Sequence, residues 1–93
     1  KNKYMSKFVR KNCVVDAVLW TGGPDQMDDP EWLIDAMKNG YIRIYYQGTS
    51  NVRMNIKYDN YETVVYPSNY LVLEDGQIRV WDKERFEQVF EMQ

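Results

Sequence analysis

Few side chains in this sequence could make or break covalent bonds. The 93 residues include one cysteine, Cys13, and no histidine, the side chain that most often serves as a general base or a metal ligand. Without an imidazole, neither Cys13 nor a serine has the usual base that would activate it as a nucleophile. Val14 and Val15 follow Cys13, so we expect a buried, unreactive thiol. The sequence therefore predicts no catalytic residue, no cofactor and no enzymatic activity.

A cluster of carboxylates is the best candidate for a metal site. Asp25, Asp28, Asp29 and Glu31 carry the oxygen ligands that Ca²⁺ and Mg²⁺ prefer. Their spacing lacks the alternating ligand positions and the distant bidentate glutamate of a calcium-binding loop. We therefore predict no metal and interpret these residues as helix-capping and solvated side chains, with Asp25, Asp28 and Asp29 as candidate partner contacts.

A second set of candidates combines positive charge with tyrosine. These residues lie on the polar sides of two predicted strands and just after them: Tyr41, Arg43, Tyr45, Arg53, Lys57 and Tyr61. Such side chains suit either a protein interface or a surface on which nucleobases stack. The net charge of -2, from 12 Lys and Arg against 14 Asp and Glu, favours an ordinary solvated sheet face over nucleic-acid binding, and the sequence does not separate that face from a protein interface. We treat these residues as candidate partner contacts and keep both alternatives.

The clearest part of the scaffold is a hairpin followed by a helix. Residues 70–73 and 78–81 are apolar runs on either side of Asp75-Gly76, a pair that favours a type I′ turn because both positions need positive φ. Asp82 can then accept backbone N–H bonds as a helix N-cap. The apolar residues of that helix recur at helical spacing: Phe86, Val89 and Phe90.

The upstream half predicts one strand and one helix. Residues 7–20 are rich in β-branched and aromatic types, which favours one strand with a kink. A helix should follow, with Asp28 or Asp29 as its cap, Pro30 at its first position and Gly40 just after its last turn.

Three more strands follow this helix. Residues 41–47 and 52–58 alternate between apolar and polar types, the pattern of half-buried strands. In the first of them the alternation places Ile42, Ile44 and Tyr46 on one side. Asp59 and Asn60 tolerate positive φ and predict a hairpin into residues 61–66.

This order of elements predicts an α+β fold with a mostly antiparallel, curled sheet of five to six strands and two short capping helices. We expect residues 7–93 to form a single domain and residues 1–6 to be a disordered or engineered end. A lone cysteine fits a reducing cytoplasm. No apolar run approaches the roughly 20 residues of a membrane helix.

Four segments resemble a family of small phage and prophage proteins from Gram-positive hosts. They are VVDAVLWTG (14–22), VVYPSNYLV (64–72), the EDGQI turn and the terminal DKERFEQVFE; that family has "EAxxWTG", "VxPGDYIV" and "FExxYE". The resemblance implies a phage origin, a single α+β domain and no established catalytic activity. The sequence departs from the pattern at Ser68 and Asn69, where the family has Gly and Asp. If that glycine serves a positive-φ turn, we expect Asn69 to adopt this conformation.

The leading functional hypothesis is a phage-encoded binding module. It would act by protein–protein contact, inhibiting a host or anti-phage defence protein in the host cytoplasm. One alternative is a nucleic-acid-binding accessory protein that uses Arg43, Arg53 and Lys57. Another is a homo-oligomeric structural phage protein in which exposed strand edges pair.

Overall fold

The computed structural model describes residues 6–10, 13–23 and 29–92. In chain order the elements are β1 Ser6–Arg10, β2 Cys13–Leu19, α1 Glu31–Lys38, β3 Ile42–Tyr45, β4 Arg53–Lys57, β5 Glu62–Val65, β6 Tyr70–Glu74, β7 Gln77–Trp81, α2 Lys83–Val89 and β8 Glu91–Met92. Neither of these helices has the length and apolar character needed to cross a membrane, a statement that covers the described residues only.

The strands form two antiparallel sheets. One has the order β7-β6-β2-β1-β8 and the other the order β3-β4-β5. The α+β class with antiparallel strands and two short helices is confirmed. The single strand expected over residues 7–20 is instead two strands, because β1 folds back on β2 with Arg10 opposite Cys13. No glycine or proline marks that reversal in the sequence, which is why the pattern suggested one continuous strand.

The main core lies between the two sheets and is closed on one side by α1. Its buried members come mainly from β2, α1, β3, β4, β5 and β6 and include Val18, Leu33, Met54, Val65 and Leu71. Leu33, Met54, Val65 and Leu71 have no exposed surface. Burial of these side chains supplies most of the free energy that holds the three-stranded sheet against the five-stranded one.

A second core fills the opposite face of the five-stranded sheet, where α2 packs. Phe86 stacks on Tyr70 and on Phe90, with ring centroids 3.9 and 4.6 Å apart. The hairpin and the helix cap predicted for this region are confirmed. Asp75 and Gly76 have φ of 51° and 76°, as a type I′ turn requires, and Asp82 accepts a hydrogen bond from the Arg85 N–H.

The first helix ends as predicted but begins one residue later. Pro30 is the N-cap rather than the first helical residue, and no side chain caps this end of the helix. The prediction of Asp29 as the cap was therefore wrong, and Asp28 lies outside the described residues. At the other end Gly40 has φ of 81°. The Gly40 N–H donates to Met37 O and the Tyr41 N–H to Ala36 O, the two bonds of a Schellman motif.

Two turns differ from their predicted conformations. The β4–β5 hairpin forms, but neither Asp59 nor Asn60 has positive φ. In the turn before β6, Ser68 has φ of 82°, so the left-handed residue is Ser68 and not Asn69. Asn69 accepts the Tyr66 N–H with its side-chain Oδ1 at 2.9 Å, which fixes the turn without a left-handed conformation at that position.

Replacing Ser68 with glycine is expected to raise the free energy of unfolding by about 0.5–1 kcal/mol, because a left-handed φ is strained for serine and free of strain for glycine. Urea unfolding of both proteins measures the difference. Ser50→Gly is the matched control, since Ser50 is an exposed loop serine whose own φ is not positive and glycine should not stabilise it. A Ser68→Gly protein less stable than the parent would contradict the expectation.

Candidate binding surface on the three-stranded sheet

The exposed side of the three-stranded sheet brings most of the predicted contact residues together. Arg43 lies opposite Asn55, and Tyr45 opposite Arg53; Lys57 lies opposite Glu62. Because side chains alternate along a strand, Ile42, Met54 and Ile56 face the core while their neighbours face out. We define the outer face as these outward residues: Tyr41, Arg43, Tyr45, Arg53, Asn55, Lys57, Glu62 and Val64.

The outer face is positively charged although the chain is not. It carries three cations, Arg43, Arg53 and Lys57, and one carboxylate, Glu62, in a molecule of net charge -2. Glu62 is held in place by the Asn55 side-chain amide, whose Nδ2 donates to Glu62 Oε1 at 3.2 Å. A hollow of about 280 Å³ between Gly40, Tyr41 and the β3–β4 side chains opens on this face.

Exposed tyrosines extend along this surface. Tyr41 is 57% exposed and Tyr45 is 41% exposed, so neither side chain is part of the core. Val64 is also exposed, and Tyr66 just after β5 is 55% exposed. Neither Val64 nor Tyr66 was among the predicted contact residues, although the alternation of Glu62, Val64 and Tyr66 could have indicated them.

Tyr46 also joins this surface, contrary to the expectation from its alternation with Ile42 and Ile44. The strand ends at Tyr45, and Tyr46 adopts φ of 58°. This left-handed conformation turns its ring to solvent, where it is 58% exposed. The Arg53 guanidinium lies over the ring, 5.0 Å from its centroid. A cation–π contact of this kind holds both side chains in a fixed position.

Tyr61 lines a groove between α1, the β4–β5 turn and the β6–β7 hairpin, together with Tyr41 and Lys57 but not with Arg43, Tyr45 or Arg53. Its ring packs against Tyr58 with centroids 4.8 Å apart, and its hydroxyl accepts a long hydrogen bond from Arg79 Nη1 at 3.5 Å. Its role as a partner contact stays a prediction.

Tyr58 connects that groove to the sheet edge. Its hydroxyl donates to the backbone carbonyl of Ile78 on β7. Burial raises the pKa of Tyr58 above its ordinary value, and Tyr61 raises it further, while Arg79 lowers it. A raised pKa extends to higher pH the range over which the hydroxyl is protonated and can donate to Ile78.

Of the three predicted acidic contacts, only Asp29 lies within the described residues, and it is not part of the outer face. Asp29 is exposed just before α1, whereas Asp25 and Asp28 lie outside the described residues. Among residues 6–10, 13–23 and 29–92, no three or more Cys, Asp or Glu side chains are grouped so that they could hold a metal ion. The side chain of Cys13 also lies outside the described part, so its predicted burial stays a prediction.

Comparisons with models of protein families, with curated proteins and with solved structures find no match to this chain.

Proposed function

We propose that this chain is a small binding module that docks its outer face on an acidic surface of a partner protein and acts by occupying that surface. The observation that carries the proposal is the combination of three cations with exposed tyrosines on one regular sheet face, in a chain of net charge -2. Tyrosine and arginine are the side chains most enriched at the centres of protein interfaces. An acidic partner surface complements the charge of the face and increases the rate of association.

The resemblance to small phage proteins supports a more specific form of the proposal. In that form the partner is a host or anti-phage defence protein, and the module inhibits it in the cytoplasm of the infected cell. The absence of histidine from the sequence supports action by binding rather than by catalysis, because the commonest general base is missing.

A nucleic-acid partner remains the second candidate because the outer face pairs cations with aromatic rings, as single-strand-binding surfaces do. Two features favour a protein instead. Glu62 lies directly opposite Lys57 on the face, where its carboxylate would repel a continuous line of phosphates, whereas a protein can place a cation or a hydrogen-bond donor opposite it. The Arg53 guanidinium lies over the Tyr46 ring, 5.0 Å from its centroid, so that side of the ring is not open to a nucleobase.

The experiment is affinity capture from a lysate of a Gram-positive host, with quantitative mass spectrometry of what is retained. The test variant carries Arg43→Glu and Arg53→Glu. The matched control carries Lys83→Glu and Arg85→Glu, which make the same change in charge on the exposed side of α2, away from the outer face. We expect one protein to be retained in stoichiometric amount by the parent and the control, and at least about tenfold less by the test variant.

Four outcomes would count against the proposal. Capture of no stoichiometric protein would remove it, as would equal retention by the test variant and the parent. Retention that disappears after nuclease treatment, together with binding to single-stranded DNA that weakens steeply with salt, would support the nucleic-acid alternative. Sedimentation showing a concentration-dependent oligomer that survives the test substitutions would favour pairing through the β3 or β5 edge.

A further inference from the structure

A groove beside the outer face, which shares Tyr41 and Lys57 with it, has the size and lining of a small-molecule site. It encloses about 580 Å³ between α1, the β4–β5 turn and the β6–β7 hairpin, within the range of roughly 300–1,000 Å³ that is usual for ligand pockets. Ala36, Ile56 and Ile78 contribute apolar surface to it, and Trp32 lines it from α1. Such a surface excludes water from a flat, apolar ligand.

The groove presents aromatic rings in a fixed arrangement. Tyr58 and Tyr61 lie with ring centroids 4.8 Å apart, and the Tyr58 hydroxyl is anchored on the Ile78 carbonyl. Because Tyr58 is tethered and half-buried, little side-chain entropy is lost when a flat ligand packs against it. A planar aromatic ring is the ligand shape that gains most from packing against tyrosine rings.

The groove also has positive charge at its rim. The Arg79 guanidinium lies 5.8 Å from the Tyr58 ring centroid and donates to the Tyr61 hydroxyl. Lys57 is a second cation and Asp59 a carboxylate among the lining residues, so the charged side chains of the described lining sum to a single positive charge. This balance suits one negative charge on the ligand.

We propose that this groove binds a small molecule that consists of a planar aromatic ring bearing a single anionic group. A cyclic nucleotide and an aromatic carboxylate share this chemistry. The ring lies against Tyr58 and Tyr61, and the anion is paired with Arg79. Trp32 lines the same groove, and its indole Nε1 is buried with no acceptor among the described residues, so its fluorescence should change when the groove is filled.

The test is a calorimetric titration of the full chain with two charged probes and their neutral analogues. Cyclic AMP is compared with adenosine, and naphthoate with naphthamide. We expect at least one charged probe to bind, its neutral analogue to bind at least about tenfold more weakly, and Arg79→Gln to weaken the charged probe by a similar factor. Arg85→Gln is the matched control, since Arg85 is an exposed arginine on α2 and its loss should leave binding unchanged.

The two arms identify the source of the ligand. Binding of cyclic AMP alone assigns the groove to nucleotides, and binding of naphthoate alone assigns it to aromatic carboxylates. The proposal is overturned if neither probe binds, or if Arg79→Gln binds the charged probe as the parent does. Loss of ligand binding in Arg79→Gln with capture of the protein partner intact would separate this site from the outer face, because Arg79 is not part of that face.

Discussion

Replacing Phe86 with alanine is expected to lower the free energy of unfolding by about 3–5 kcal/mol, the usual loss when a large buried aromatic side chain is truncated. Phe86 has no exposed surface. Its ring stacks on Tyr70 and Phe90 and meets Trp81 edge-on at 6.1 Å. Alanine would leave a cavity where three other rings now meet, and α2 would lose its main anchor to the sheet.

This loss is large for a chain of 93 residues, whose whole stability is expected to be about 5–14 kcal/mol at roughly 0.05–0.15 kcal/mol per residue. Urea unfolding followed by far-UV circular dichroism measures it. Tyr66→Ala is the control, because Tyr66 is an exposed aromatic residue and its truncation should change stability by no more than about 0.5 kcal/mol. A similar effect of the two substitutions would show that α2 is not anchored through Phe86.

The second large effect is expected for Gly22→Ala, at about 2–5 kcal/mol of destabilisation. Gly22 has φ of +77°, and a Cβ built there would lie 3.0 Å from Pro67 Cγ and 3.1 Å from Val52 Cγ1. The left-handed conformation costs an L-residue about 1–2 kcal/mol, and crowding of a packed region costs about 1–3 kcal/mol. Alanine at position 22 would incur both penalties, because Gly22 packs against Pro67 in the turn that leads into β6.

Gly48→Ala separates the two penalties. Gly48 has nearly the same φ, +79°, but a Cβ there would meet nothing within 4 Å. Its substitution should therefore cost only the conformational part, about 1–2 kcal/mol. The difference between the two variants, measured by urea unfolding, isolates the contacts with Pro67 and Val52. Equal losses at the two positions would mean that the neighbours of Gly22 relax without cost.

The contacts of Gly22 and Trp20 give a structural reason for the Trp-Thr-Gly segment, which is part of the resemblance to small phage proteins. Trp20 is buried, and its backbone N–H donates to Asn69 O while its carbonyl accepts from the Ser68 N–H. The Trp-Thr-Gly segment and the Pro-Ser-Asn segment are therefore packed and hydrogen-bonded to each other. Trp20 and Gly22 therefore pack at the junction between β2 and the turn before β6. This structural role accounts for both residues without a role in binding a partner.

The predicted contact residues are distributed over the outer face and the groove, and some belong to both. Tyr41 and Lys57 border both the hollow on the face and the groove, whereas Arg43 belongs to the face and Arg79 to the groove. Substitutions at the shared residues would alter both sites at once. Arg43 and Arg79 are therefore the positions at which each proposal can be tested by itself.

The amino-acid sequence determined the features that depend on neighbours along the chain. Asp75-Gly76 specified the β6–β7 turn, Asp82 the start of α2 and Gly40 the end of α1, since turn and cap conformations depend on a few adjacent residues. The alternation along β3 and β4 likewise placed Arg43, Tyr45 and Lys57 on one side, because successive side chains on a strand point to opposite faces.

Only the tertiary structure decided how those elements meet. The division into two sheets and the position of Tyr61 beside Arg79 depend on contacts between residues distant in sequence, and the reversal between β1 and β2 depends on the pairing of those two strands. Ser68 and Tyr46 adopt left-handed conformations that their residue types disfavour. Local propensities differ by about 1 kcal/mol, whereas burial of a single core side chain contributes about 1.5–3 kcal/mol. At Ser68 the hydrogen bond from its backbone N–H to the distant Trp20 carbonyl is such a long-range contact, and periodicity in the sequence cannot reveal it.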